Sequence, residues 1–123
     1  MIDALTADGP SGRAARKATM ADPHWIAPAH LVAEVTSGIR GLLRGGKISA
    51  RRADDAVQAL AGAEIELAGM QAQLPRIWEL RDNVTPYDAA YIALAEAEGC
   101  ALVTGDGRLA AVPGIRCQVQ LIG

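Results

Sequence analysis

The segment NVTPYDAAYIALAEAEGCALVTGD, residues 83–106, contains a helix start, a helix stop and an apolar strand in immediate succession. Thr85 is a preferred N-cap residue, Pro86 suits the first helical position, and Gly99 follows the last turn. The apolar run that comes next is typical of a parallel strand buried on both faces. A helix leading directly into such a strand favours an α/β domain over an all-helical one.

The rest of the chain repeats this alternation, and its 123 residues suit a single domain. Apolar spacing and turn residues predict strands at 24–28, 64–68, 100–106 and 115–122, and helices at 11–19, 29–44, 48–62 and 69–82. Ser49 is the expected N-cap of the helix that closes near Gly62. We therefore expect one α/β domain over residues 1–123, with a mostly parallel central sheet flanked by helices on both faces.

Composition limits the classes of function. A formal charge of −2 and a pI near 5.6 give no global basic signal, so any contact with a polyanion must be local. The sequence lacks Phe, so Ala, Leu, Ile and Val must build the core, and Trp25 and Trp78 are expected to join it. Cys100 and Cys117 form no CxxC pair and suggest reduced, semi-buried residues. No signal peptide or membrane-length apolar run is evident, which favours a soluble, cytoplasmic protein.

Three carboxylates are candidates for chemistry. Asp106 ends a predicted strand, Asp88 opens a predicted helix, and Glu34 lies at the edge of the buried stripe of its helix. Ligands of parallel α/β sheets bind at the carboxyl ends of strands and at adjoining helix N-termini. Each residue also has an ordinary explanation: Asp88 favours the helix dipole, Asp106 suits a glycine turn, and Glu34 suits a surface.

Taken together, the three carboxylates indicate a metal site. Three such groups converging on one cleft would repel unless a cation joined them. Mg²⁺ or Mn²⁺ is the natural choice, because these hard ions take oxygen ligands and keep waters for chemistry. Glu34, Asp88 and Asp106 are thus the candidate metal ligands and catalytic residues of a phosphodiester hydrolase.

The residues WELRDNVTPYDAAYIALAEAEGCALVTGDGRLAAVPG, at 78–114, together with PAHLVAEV at 28–35, resemble PIN-domain ribonucleases. More narrowly, they resemble the VapC toxins of VapBC toxin–antitoxin modules. The resemblance implies a homodimer, a VapB-like antitoxin partner and Mg²⁺- or Mn²⁺-dependent cleavage of RNA. It matches Glu34, Asp88 and Asp106 to the family's acidic residues. It also matches Thr104 to a threonine whose hydroxyl orients a carboxylate or a water.

The start of the chain departs from the family pattern. VapC-like chains open with an apolar strand that ends in a metal-binding Asp, whereas MIDALTADGPSG aligns with the helix that follows it, so the first strand is missing. Asp3 lies too close to the turn at Asp8 to replace that ligand. Either Met1 is internal to a longer reading frame, which we favour, or the chain is a shortened and inactive member.

Basic residues gather around the end of one predicted helix and the start of the next. They are Arg40, Arg44, Lys47, Arg51 and Arg52. This cluster is either a solvated surface or a patch that positions RNA phosphates.

Two functions therefore remain open: a metal-dependent endoribonuclease toxin, or a catalytically inactive protein that still binds the antitoxin. A nucleotide-binding domain of receiver or flavodoxin type is disfavoured, because the glycine-rich loop and the early acidic pair are lacking.

Overall fold

The computed structural model describes residues 25–122, and within them helical segments separate the strands as expected. The elements in chain order are β1 (Trp25–Pro28), α1 (Leu31–Arg44), α2 (Ala50–Ala61), β2 (Ile65–Ala68), a first 3-10 helix (Gln71–Gln73), α3 (Leu74–Glu79), α4 (Pro86–Glu98), β3 (Leu102–Thr104), a second 3-10 helix (Gly107–Ala111) and β4 (Val119–Leu121). The helix expected at 11–19 lies outside the described residues. Among the helices that are described, none is long and apolar enough to cross a membrane.

The strands form two two-stranded sheets, β1 with β2 and β3 with β4. β3 and β4 are parallel, with Leu102 opposite Val119 and Thr104 opposite Leu121. The α/β class and the parallel pairing are thus confirmed, while the strands of residues 25–122 form two pairs where one central sheet was expected. The strands expected at 100–106 and 115–122 are shorter than predicted, since only three residues of each enter the ladder.

The chain divides into two compact units, and the first contains His30–Glu66. Within it, α1 and α2 pack on each other. Each helix buries residues spaced by three or four positions, which places them on one face. These are Leu31, Val35 and Ile39 of α1 and Ala53, Ala56 and Leu60 of α2. Ser49 caps α2 as predicted, because its hydroxyl accepts a hydrogen bond from the Arg52 N–H at 3.2 Å.

The second unit contains Ile26–Ala29 and Leu67–Ile122 and is built around α4. This helix is apolar on nearly every side, and six of its residues from Ala89 to Ala95 are buried. Its core cluster consists of Leu80, Ala89, Ile92, Ala95, Leu102, Leu109 and Val112. The predicted helix signals are confirmed: the Thr85 hydroxyl caps the start, and Gly99 ends the helix with a left-handed φ of 63°.

The helix expected at 69–82 is broken into two pieces. A 3-10 turn covers Gln71–Gln73, and α3 covers only Leu74–Glu79, with Pro75 in its first turn. Proline has no N–H to donate, so it is tolerated only where a helix begins.

The expectation that Trp78 lies in the core is wrong, because this residue is 63% exposed. Leu80, which follows α3, is part of the core cluster and Ile77 of α3 packs against it, whereas Trp78 is exposed. The Arg81 guanidinium covers the indole ring, 4.6 Å from its centroid. Cys100 is also exposed, whereas Cys117 is partly buried as expected.

Candidate functional site

Asp106 lies just beyond the end of β3 and caps the second 3-10 helix. Its backbone N–H donates to the Thr104 hydroxyl at 3.0 Å, and its Oδ1 accepts from the Arg108 N–H at 3.0 Å. Such Asp side-chain bonds to the backbone two residues on are typical of tight turns. The aspartate is therefore fixed on both sides, by the strand before it and by the helix after it.

The carboxylate of Asp106 also forms a bidentate ion pair with the Arg108 side chain. Arg108 Nε donates to Oδ1 at 3.0 Å, and Arg108 Nη2 donates to Oδ2 at 2.8 Å. These side-chain hydrogen bonds are the main reason that the pKa of Asp106 is lowered from its ordinary value. A cation thus already stabilises the charged form of Asp106.

Asp88 is the third residue of α4 and is partly buried. Its backbone N–H donates to the Thr85 hydroxyl at 3.2 Å, so the helix cap fixes its position. The pKa of Arg108 is raised chiefly by hydrogen bonding to Asp106, and the charge of Asp88 adds to this effect. Asp88 and Asp106 therefore both belong to the second unit, and of the two carboxylates it is that of Asp106 which binds the Arg108 guanidinium.

Glu34 lies in the first turn of α1, which belongs to the first unit. Its Oε1 is 3.2 Å from His30 Nε2, and its side chain is exposed. Within residues 25–122, no group of three or more His, Cys, Asp or Glu side chains is arranged to hold a metal ion. The joint action of Glu34 with Asp88 and Asp106 therefore stays a prediction.

The basic residues expected to position RNA are in the first unit and are exposed. Arg40 and Arg44 lie on the second half of α1, Lys47 lies in the loop to α2, and Arg51 lies in the first turn of α2. These four basic residues lie within a short, mostly exposed stretch of the chain, residues 40–51. A role in RNA binding stays a prediction for them.

Two features of the second unit were not predicted from the sequence. Arg108 follows Asp106 by two residues, and this Asp-x-Arg spacing was its only sequence signal. The other is the bidentate pair of Arg76 and Glu96, at 2.7 and 3.0 Å. Glu96 is a charged residue of a mostly apolar helix, but the sequence does not show which residue neutralises it.

The chain is similar in sequence to known proteins over nearly its whole length. Residues 1–115 match the PIN domain family. Ribonuclease VapC1 of Mycobacterium tuberculosis is 37% identical over 126 residues, which cover 99% of this chain and 92% of that protein. VapC ribonuclease Mb0985 of Mycobacterium bovis is 40% identical over 97 residues, covering 76% and 74%. Ribonuclease VapC3 of Mycobacterium tuberculosis is 37% identical over 112 residues, covering 89% and 80%.

The matched region includes the α4–β3 segment that carries Asp88 and Asp106. The observed order of elements and the parallel β3–β4 pair are consistent with that family. The chain belongs to the PIN-domain family and, within it, to the VapC type.

Proposed function

We propose that this protein is a metal-dependent endoribonuclease, the toxin of a type II toxin–antitoxin module. The observation that carries the proposal is the Asp106 carboxylate, held by a cation at the carboxyl end of β3, in the same unit as Asp88 at the N-terminus of α4. The names of the relatives, which are ribonucleases of the VapC type, support the same reading. The reaction would hydrolyse a phosphodiester bond of RNA.

The donor atoms of this site suit Mg²⁺ or Mn²⁺. Asp88 and Asp106 offer carboxylate oxygens, and Thr104 offers a hydroxyl beside Asp106. Mg²⁺ is often held by one or two carboxylates together with waters and substrate phosphates. The guanidinium of Arg108 already occupies the Asp106 carboxylate as a stand-in cation. When bound, a divalent ion would supply Lewis-acid chemistry and neutralise phosphate charge.

The contribution of the protein is to hold these oxygens in place. Thr104 and the second 3-10 helix fix the backbone of Asp106, and the Thr85 cap fixes that of Asp88. Groups held before substrate arrives need no reorganisation during the reaction. We assign Glu34 as a third acidic ligand on the strength of its position in the family pattern alone.

Binding of RNA would use the exposed basic stretch of Arg40, Arg44, Lys47 and Arg51. Phosphate contacts of this kind fix the position of a nucleic acid and weaken as the salt concentration rises. Replacing Arg40 and Arg44 with Ala would raise the KM for RNA and reduce the slope of log affinity against log salt, while leaving the Asp88–Asp106 site unchanged.

The partner of this toxin would be a VapB-like antitoxin, and the toxin itself would be a homodimer. An antitoxin that inhibits the enzyme by covering the acidic site would place a basic side chain there. An arginine suits this role, since it forms two parallel charge-assisted hydrogen bonds with a carboxylate.

The alternative is a catalytically inactive protein that still binds the antitoxin. It differs from the proposed enzyme in that it would bind the antitoxin without cleaving RNA. The two functions separate in a single experiment, in which the purified 123-residue chain is incubated with RNA oligonucleotides carrying single-stranded loops.

We expect cleavage in Mg²⁺ or Mn²⁺ and none in EDTA. Antitoxin binding without cleavage in either metal would establish the alternative and refute the proposed enzyme. Light scattering of the protein mixed with its antitoxin would give the number of protomers in the toxin–antitoxin complex.

A further inference from the structure

Both carboxylate oxygens of Asp106 are engaged by a single residue of the same chain. Oδ1 accepts from the backbone N–H and from Nε of Arg108, and Oδ2 accepts from Nη2. This arrangement is the fork geometry in which arginine binds a carboxylate most strongly. A divalent ion that coordinates Asp106 through these oxygens must meet the same guanidinium.

The Arg108 side chain is placed so that it can leave. It is 90% exposed, and the carboxylate it binds is 34% exposed. Ion pairs in contact with solvent are weak and are screened by salt, so a competing cation can replace the guanidinium without disrupting a core.

Departure of the guanidinium would not release Asp106. The bond from the Arg108 backbone N–H to Oδ1 belongs to the turn that starts the second 3-10 helix, and it does not need the side chain. The Thr104 hydroxyl also keeps its bond to the Asp106 N–H. Oδ2, by contrast, loses its Arg108 donor and becomes open on the side where the guanidinium was.

We propose that Arg108 is an intramolecular counter-ion, which occupies Asp106 in the ion-free protein and competes with the divalent ion for this carboxylate. The inference rests on the proposed function, because it concerns the ion that the proposed enzyme uses. Arg108 is a positioning residue in this account: it keeps the carboxylate neutralised and ordered until the ion replaces it.

The test measures ion binding and not cleavage. Mn²⁺ is titrated by calorimetry into the full chain and into Arg108→Ala, at low and at high ionic strength. Removing the competitor should tighten Mn²⁺ binding by about two- to fivefold, the range expected for an exposed ion pair. The gain should shrink at high salt, where surface pairs are screened.

Arg116→Ala is the matched control, because it removes the same charge from an exposed position of the same unit. It should leave the Mn²⁺ affinity unchanged. If Arg108→Ala and Arg116→Ala gain the same Mn²⁺ affinity, the effect is one of net charge, and the proposed competition at Asp106 is wrong.

A second readout follows the guanidinium itself. In a nitrogen-15 NMR spectrum, the Arg108 Nε–H signal should shift as Mg²⁺ is added and return with EDTA, while that of Arg116 stays in place. If Mg²⁺ saturates the wild-type protein while the Arg108 signal does not move, the inference fails and the proposed enzyme survives. If neither ion binds any variant, the proposed metal dependence fails, and the inference fails with it.

Discussion

Arg76 Nε donates to Glu96 Oε1 at 2.7 Å, and this contact ties α3 to the end of α4. The same guanidinium donates to Glu96 Oε2 and to the carbonyl of Gly114. Glu96 Oε2 in turn accepts from the Arg116 backbone N–H at 2.7 Å. The pair therefore holds the segment between the second 3-10 helix and β4 against α4, in the unit that carries Asp88 and Asp106.

Replacement of Arg76 should destabilise the protein strongly. The Arg76 and Glu96 side chains are only 16% and 11% exposed, so Arg76→Ala leaves a carboxylate poorly solvated and without its cation. Breaking a buried pair from one side costs about 3 kcal/mol or somewhat more. The free energy of unfolding in urea measures this effect. Glu79→Ala is the control, because Glu79 is 59% exposed and its loss should cost under about 1 kcal/mol. Equal costs for the two variants would contradict the assigned role.

The same pair predicts how stability depends on pH. Hydrogen bonding to Arg76 holds the pKa of Glu96 below its ordinary value. Below about pH 4.3, the unfolded chain binds a proton at this residue that the native state does not bind, so acid lowers the free energy of unfolding. The stability advantage of wild type over Glu96→Gln should be full above about pH 5 and should shrink toward pH 3. Thermal unfolding of both proteins across this pH range measures the difference in stability. A difference that stays constant with pH would argue against the lowered pKa of Glu96.

The cap of α4 can be tested with two substitutions. Thr85→Ala removes the hydroxyl that accepts from the Asp88 N–H, which should cost about 1 kcal/mol of stability. Thr85→Ser keeps an oxygen at that position and should retain most of the stability. Urea unfolding of both variants tests this prediction. Identical urea midpoints for Thr85→Ala and Thr85→Ser would show that the cap contributes little to stability.

The two thiols should differ in reactivity. Cys100 is exposed, and Cys117 is partly buried. Burial raises the pKa of the Cys117 thiol, so less of the reactive thiolate is present near pH 8. A colorimetric thiol reagent should therefore show a fast and a slow phase in the native protein, which merge in denaturant. Cys100→Ser should remove the fast phase; loss of that phase in Cys117→Ser would instead reverse the assignment.

Much of the fold follows from local signals in the sequence. Thr85, Pro86 and Gly99 mark the ends of α4 because caps and turn glycines act on the adjoining backbone and need no distant partner. Ser49 marks the start of α2 for the same reason. Asp106 could likewise be placed after a strand, because the apolar run before it ends at Thr104.

Trp78 shows where this reasoning fails. Two pairs of apolar residues are spaced at helical intervals here, Ile77 with Leu80 just after α3 and Leu74 with Trp78, and spacing alone does not show which pair turns inward. The outcome is set by packing against α4, which involves residues distant in sequence.

The candidate site shows the same limit. The acidic residues could be chosen from the sequence, but their partners could not. Arg108 is only two positions after Asp106, but an Asp-x-Arg spacing also occurs in ordinary turns and does not by itself indicate an ion pair. Glu96 pairs with Arg76 across 20 positions, a contact that no local pattern predicts.

The most direct test of the proposed enzyme is the rate of Mg²⁺-dependent RNA cleavage by Asp88→Asn and Asp106→Asn. Asp54→Asn, on the exposed face of α2, is the control for loss of one negative charge. The account predicts a loss of at least about 100-fold for each site variant, since metal-assisted charge stabilisation is worth several kcal/mol, and a wild-type rate for Asp54→Asn. Wild-type cleavage by both site variants, or cleavage that persists in EDTA, would contradict it.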